Sequence, residues 1–161
     1  MNQQELKDFL DEKVLQYNTL DFIDSDPVQI PHRFSTKEDI EIAGFLAATI
    51  AWGNRKMIIN NANKMMNLIG NSPYDFVMNF SENDLDNLDG FVHRTFNNDD
   101  LKFFMKSLRN IYQNHGGLEQ VFAKYQTSDS MQVSISNFKQ TFFEVEHLPR
   151  TTKHISDPLN N

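Results

Sequence analysis

The chain has 161 residues, 39% hydrophobic and 23% charged, with fourteen phenylalanines, which suits one globular domain burying roughly 70% of its unfolded surface. It contains no cysteine, so disulfides, thiolate nucleophiles, iron–sulfur clusters and Cys-type zinc sites are excluded, and a reducing compartment suits it. Its net charge of −7 repels nucleic acid and anionic membranes, so a nucleic-acid reading requires a local cluster of basic residues.

The start of the chain, MNQQELKDFLDEKV, has neither the basic n-region nor the apolar h-region of a signal peptide. The longest apolar run, Ala43 to Trp52, is about half of a membrane span. A cytoplasmic protein without a membrane partner is expected. Leu6, Phe9, Leu10, Val14 and Tyr17 share one helical face, predicting an amphipathic first helix. Asp26-Pro27 and Ile30-Pro31 predict an extended connection, because a residue before proline avoids the α region. Ser35 followed by Glu38 reads as a capping box, opening a helix from Glu38 to Trp52 that is apolar nearly all round from Ile42 onward. Such a helix is expected at the centre of a bundle.

Gly53 suits the residue after a helix end, and Asn54 suits the cap of the next helix. That helix carries Met57, Ile58, Met65, Leu68 and Ile69 and stops at Gly70. Ser72-Pro73 opens a short helix to Phe80, Ser81 to Leu88 adds a turn or two, and Asp89-Gly90 is a turn. After the connection FVHRTF, Asn98 is expected to cap a long helix to His115, with Asp99 and Asp100 in its first turn. Gly116-Gly117 ends it, Leu118 to Tyr125 is shorter, and Met131, Ile135, Phe138 and Phe142 mark a last helix ending near Glu146. The fold class is therefore all-α: a compact orthogonal multi-helix domain, with about seven helices around a central buried one. Residues 1–147 form the single helical domain, and 148–161 are a polar C-terminal tail that does not pack alone.

Arg55 and Lys56 stand in the first turn of a helix, where the dipole and free N–H groups favour negative charge. Two cations there suit a phosphate site; alternatively both extend into water or pair with a distant acid. Two similar tags, Pro31-His32-Arg33-Phe34 and Val92-His93-Arg94-Thr95-Phe96, each precede a helix cap. Arg33 or Arg94 could add to an anion site, or the Phe staples the core while the Arg pairs with an acid. Trp52 is a core anchor or, at the surface, a platform for base stacking. Glu144 and His147 make one Glu-x-x-His pair, whereas di-iron bundles need two. His147 and His154 lack a third ligand nearby. No nucleophile elbow, P-loop or dinucleotide fingerprint is present. The residues therefore supply no catalytic set, no metal site and no cofactor.

Three blocks, IPHRFSTKEDIEIAGFLAATIAWGNRKMIINNANKMMNLIGNSPYDF, FVHRTFNNDDLKFFMKSLRNIY and GGLEQVF, resemble an uncharacterised bacterial family, domain of unknown function 2400. The resemblance runs through most of the chain. It implies a longer protein in which a stretch like LPRTTKHISDP is followed by a basic segment and a helical part with a Pro-Leu-Asp-Thr-His type motif. The present chain resembles the N-terminal part. Through FLAATIAWGNRKMIINNANKMM the family is in turn similar to helix-hairpin-helix DNA glycosylases of the endonuclease III kind. That similarity implies a DNA-facing turn of Trp52, Gly53, Asn54 and Arg55; on the nucleic-acid reading Arg55 and Lys56 hold phosphate, assisted by Arg33 or Arg94, and Trp52 or Asn54 approaches a base. The chain departs from the glycosylases in having no Leu-Pro-Gly-Val-Gly-like hairpin and no matching catalytic Lys or Asp. Two readings result: a nucleic-acid-binding module of a glycosylase-like scaffold without its catalytic part, or a helical interaction piece awaiting a C-terminal segment or protein partner. Neither expects enzymatic activity from these residues alone.

Overall fold

Nine α-helices and one short β-hairpin are seen in the computed structural model, which describes residues 1–126 and 130–160. The all-α expectation therefore holds. The first helix, α1 (Gln3–Tyr17), opens with a capping box between Asn2 and Glu5. None of its residues is buried. The apolar face read from the sequence exists but meets no core, and the helix is carried by its cap and by local pairs such as Lys7 with Asp11. A short α2 (Leu20–Ser25) follows.

The segment expected to be extended is instead two 3₁₀ turns, Pro27–Gln29 and Pro31–Arg33. Asp26 obeys the pre-proline preference, with ψ 153°, and its carboxylate accepts from the Val28 amide at 3.0 Å. Ile30 does not: it is helical at φ −63°, ψ −57° before Pro31. Its side chain is fully buried, and that burial outweighs the local steric preference.

The central helix, α3 (Lys37–Thr49), is shorter than the sequence suggests and is capped differently. Thr36, not Ser35, takes the cap position, and its hydroxyl donates to Asp39 at 2.5 Å. The other Asp39 oxygen accepts from the Tyr74 amide at 2.8 Å, tying on the start of α5 (Pro73–Asn79). Ile42, Ala43, Leu46, Ala47 and Ile50 are buried. Trp52 lies beyond the helix end, in the turn to α4 (Arg55–Leu68), whose cap is Asn54 as read.

After α6 (Glu82–Asp86), a two-stranded antiparallel hairpin pairs Val92 with Asn97 and His93 with Phe96. The sequence offered no period-2 signal for it; a two-residue loop and two pairs are too short to show one. Asn97, one residue earlier than expected, caps α7 (Asn98–Asn114) in a capping box with Asp100. Arg109 of α7 donates to the carbonyls of Val77 at 2.8 Å and Phe80 at 2.7 Å. It thereby satisfies orphan carbonyls at the end of α5. α8 (Leu118–Ala123) and α9 (Gln132–Phe142) close the core, where Phe104 and Phe142 meet edge-to-face at 4.8 Å and Phe122 stacks on Phe138 at 4.6 Å.

The tail, expected not to pack alone, lies against the helical domain: Pro149–His154 forms a 3₁₀ segment seated on the start of α7. Thr151 and Ile155 are buried. The reason is polar: the Asp100 carboxylate is wholly buried and accepts from the Thr151 hydroxyl at 2.7 Å, while Arg150 lies 3.2 Å away. A polar tail is what a buried carboxylate requires. The last residue of that tail, Asn161, lies outside the described residues.

Candidate nucleic-acid interface

The turn between α3 and α4 is built from local chemistry and then clamped from a distance. The half-buried indole of Trp52 donates through Nε1 to the Thr49 carbonyl at 3.2 Å. Gly53 turns the chain with φ +110°, a conformation that disfavours any side chain. Asn54 then accepts from the Met57 amide at 3.2 Å. From the hairpin, buried His93 stands edge-on to Trp52 with ring centres 5.4 Å apart. Its Nδ1 lies 2.8 Å from the Asn61 amide nitrogen, which donates to it. The proton therefore belongs on Nε2, 3.4 Å from the Trp52 carbonyl.

Next to His93, Arg94 adopts φ +56° at the tip of the hairpin, in the left-handed region that costs a non-glycine residue about 1–2 kcal/mol. Its guanidinium carbon lies 5.2 Å from the centre of the Trp52 ring. The side chain passes so close to the turn that a Cβ on Gly53 would come within 2.9 Å of Arg94 Nη1. Trp52, Gly53, Asn54 and Arg94 thus form one surface from two segments.

The other expected residues separate. Lys56 is exposed in the first turn of α4. Arg55 turns toward the opposite flank, with Nε 3.9 Å from Asp26 and its guanidinium 5.9 Å from the Phe22 ring. Arg33 donates to Asn63 of α4 at 2.8 Å. Asn61, Thr95, Lys153 and Ser156 were not singled out from the sequence. Asn61 sits in a run of asparagines, and Lys153 and Ser156 belong to the stretch that reads as an unpacked tail.

Charge is distributed unevenly. Residues 1–26 hold seven carboxylates and two lysines, whereas 27–161 hold fifteen against thirteen basic residues. Lys37, Lys102, Lys106 and Arg150 all pair with acids. Among the described residues, no carboxylate lies within 4.0 Å of the charged groups of Lys56, Lys64, Arg94 or Lys153. Two clefts flank the turn. One, of about 490 Å³, is floored by Gly44, Ala47, Ala48 and Ala51 and also lined by Asp26 and Arg55. The other, of about 460 Å³, is polar and is lined by Thr49, Trp52, Thr95, Lys153, His154 and Ser156. Burial of the His154 ring holds its pKa below the usual histidine value, more than the nearby Asp100 raises it.

Among the described residues, no three His, Asp or Glu side chains gather as a metal site, and no helix is long and apolar enough to cross a membrane. No curated protein and no solved structure matches the chain. The model of one family, described as Protein of unknown function (DUF2400), matches residues 26–161 and leaves out α1 and α2. That match takes in the turn, the hairpin and the docked tail alike, and the chain belongs to the DUF2400 family.

Proposed function

We propose that the Trp52–Asn54 turn and the Arg94 hairpin tip form the nucleic-acid-binding surface of a DNA glycosylase-like helical scaffold, without chemistry of its own in these residues. The observation that carries this reading is the Arg94 guanidinium, 5.2 Å above a half-buried indole and without an acidic partner among the described residues. A cation beside a stacking ring is the pairing that single-stranded nucleic acid uses: the cation for phosphate, the ring for a base. Lys56 and the free first-turn amides of α4 add a second place for phosphate. Asn54 stands between them at the cap. Arg55, turned to Asp26, and Arg33, bonded to Asn63, play a smaller part. Most of the net negative charge, five of the seven units, lies in the first 26 residues, so the net charge of the chain does not describe this surface.

The test is an anisotropy titration against short duplex and single-stranded DNA at several salt concentrations. Binding that weakens steeply with salt, and is lost in Arg94→Glu with Lys56→Glu while the fold is kept, is expected. Affinity unchanged by that double substitution would overturn the assignment.

A second reading, a protein-interaction piece, is favoured by a separate observation. Leu6, Phe9, Leu10, Val14 and Tyr17 of α1 are all exposed, and contiguous apolar surface of this kind marks interfaces. It predicts self-association that Leu10→Glu with Val14→Glu removes. A monomer at all concentrations in sedimentation would count against it.

A further inference from the structure

We infer that the polar cleft between Trp52 and the C-terminal 3₁₀ segment holds the terminal phosphate monoester of a nucleic-acid strand. This deepens the nucleic-acid reading and rests on it for the nature of the ligand. The cleft, about 460 Å³, falls within the size range of small-ligand sites. Three of its lining residues can donate to a phosphate through a flexible side chain: the Lys153 ammonium and the hydroxyls of Thr95 and Ser156. No carboxylate lines it. Lys153 is exposed and has no acidic partner among the described residues, unlike Lys37, Lys102 and Lys106.

The wall behind these donors is held firmly. The His154 side chain is only 5% exposed, with Nε2 turned to an Asp100 oxygen 3.3 Å away. Thr151 and Arg150 fix the C-terminal segment to Asp100, and the His154 ring stacks edge-on to Phe96 at 5.0 Å. Donors placed on such an anchored segment need little reorganisation to receive an anion. Trp52 forms the opposite wall and carries Arg94 on its ring. A strand whose last phosphate enters the cleft therefore meets the stacking ring and the arginine next. A continuous strand has no monoester to place there. A dianionic end is what the Lys153, Thr95 and Ser156 donors can distinguish from a backbone diester.

The experiment compares internally labelled single-stranded 12-mers carrying a 5′-phosphate, a 3′-phosphate or neither, titrated against the chain by anisotropy. One phosphorylated end is expected to bind about tenfold more tightly than the unphosphorylated strand, as for one charge-assisted hydrogen bond. Lys153→Glu, and separately Thr95→Ala with Ser156→Ala, should erase that difference while melting like the parent. Equal affinity for all three strands overturns the inference and leaves the nucleic-acid reading standing. If no strand binds, that reading fails, and a titration with adenosine monophosphate followed by NMR decides the cleft. Shifts at Thr95 and Ser156 that Lys153→Glu abolishes would keep it as a site for a free mononucleotide; no shifts there overturn it.

Discussion

Arg94 is held in a conformation that arginine does not favour, and its replacement separates stability from binding. At φ +56° it carries about 1–2 kcal/mol of left-handed strain. Its contact with Trp52, at 5.2 Å and partly exposed, returns about 0.5–1 kcal/mol. Arg94→Ala keeps the strain and loses the contact, so it should destabilise the fold by about 0.5–1 kcal/mol. Arg94→Gly also loses the contact but relieves the strain, less the roughly 0.5–1 kcal/mol of extra unfolded-state freedom of glycine. The glycine variant should therefore melt near the parent and about 1–4 °C above the alanine variant. Both should lose nucleic-acid affinity to the same extent. Parallel thermal melts by circular dichroism, with anisotropy on the same samples, read the two quantities. An alanine variant that melts at or above the glycine variant would refute the strain argument. A glycine variant that binds like the parent would refute the role of the guanidinium.

Three further outcomes follow from the same geometry. Gly53→Ala should cost about 1–3 kcal/mol from its φ of +110°, and the new Cβ, 2.9 Å from Arg94 Nη1, should push the guanidinium off Trp52. Altered tryptophan fluorescence with weakened binding checks it. Asp100→Ala leaves the Thr151 hydroxyl and the Asn97 amide without their buried acceptor and should cost about 3 kcal/mol in chemical denaturation. Because burial lowers the pKa of His154, the unfolded chain takes up its proton first as pH falls. Stability should therefore be fully present above the ordinary histidine range and decline as pH drops from there through the lower folded value. His154 faces Asp100, Arg150 and Lys153, and His154→Gln should flatten that part of a melting-temperature profile between pH 7.5 and 5.

What the sequence reveals here is whatever depends on neighbours within a turn or two. The Asn54 cap, the start of α4 and the buried face of α3 were all legible, because capping groups and helical periodicity act within a few residues. The union of Trp52 with Arg94 was not. It depends on His93 and Asn61 meeting across 32 residues, and on a hairpin of two pairs that leaves no periodic trace. Arg55 shows the converse: its place in the chain suggested the turn, but the side chain leaves toward Asp26, an acid whose position depends on the two 3₁₀ turns. The docking of the tail was not legible for a physical reason. Docking on a buried carboxylate requires hydroxyls and cations, and those residues give a segment the composition of a loop.

The His93–Trp52 contact closes a loop of 41 residues and the Asp100–Thr151 bond one of 51. Loop closure of this length is repaid only after the helices between have packed. Contacts of such separation predict that the surface is assembled late in folding, without local autonomy. A peptide spanning α3 and α4 would carry Trp52 and Asn54 but neither Arg94 nor Lys153. Hydrogen exchange at Thr151, whose side chain anchors the last segment to arrive, should accordingly report how firmly the whole core is closed.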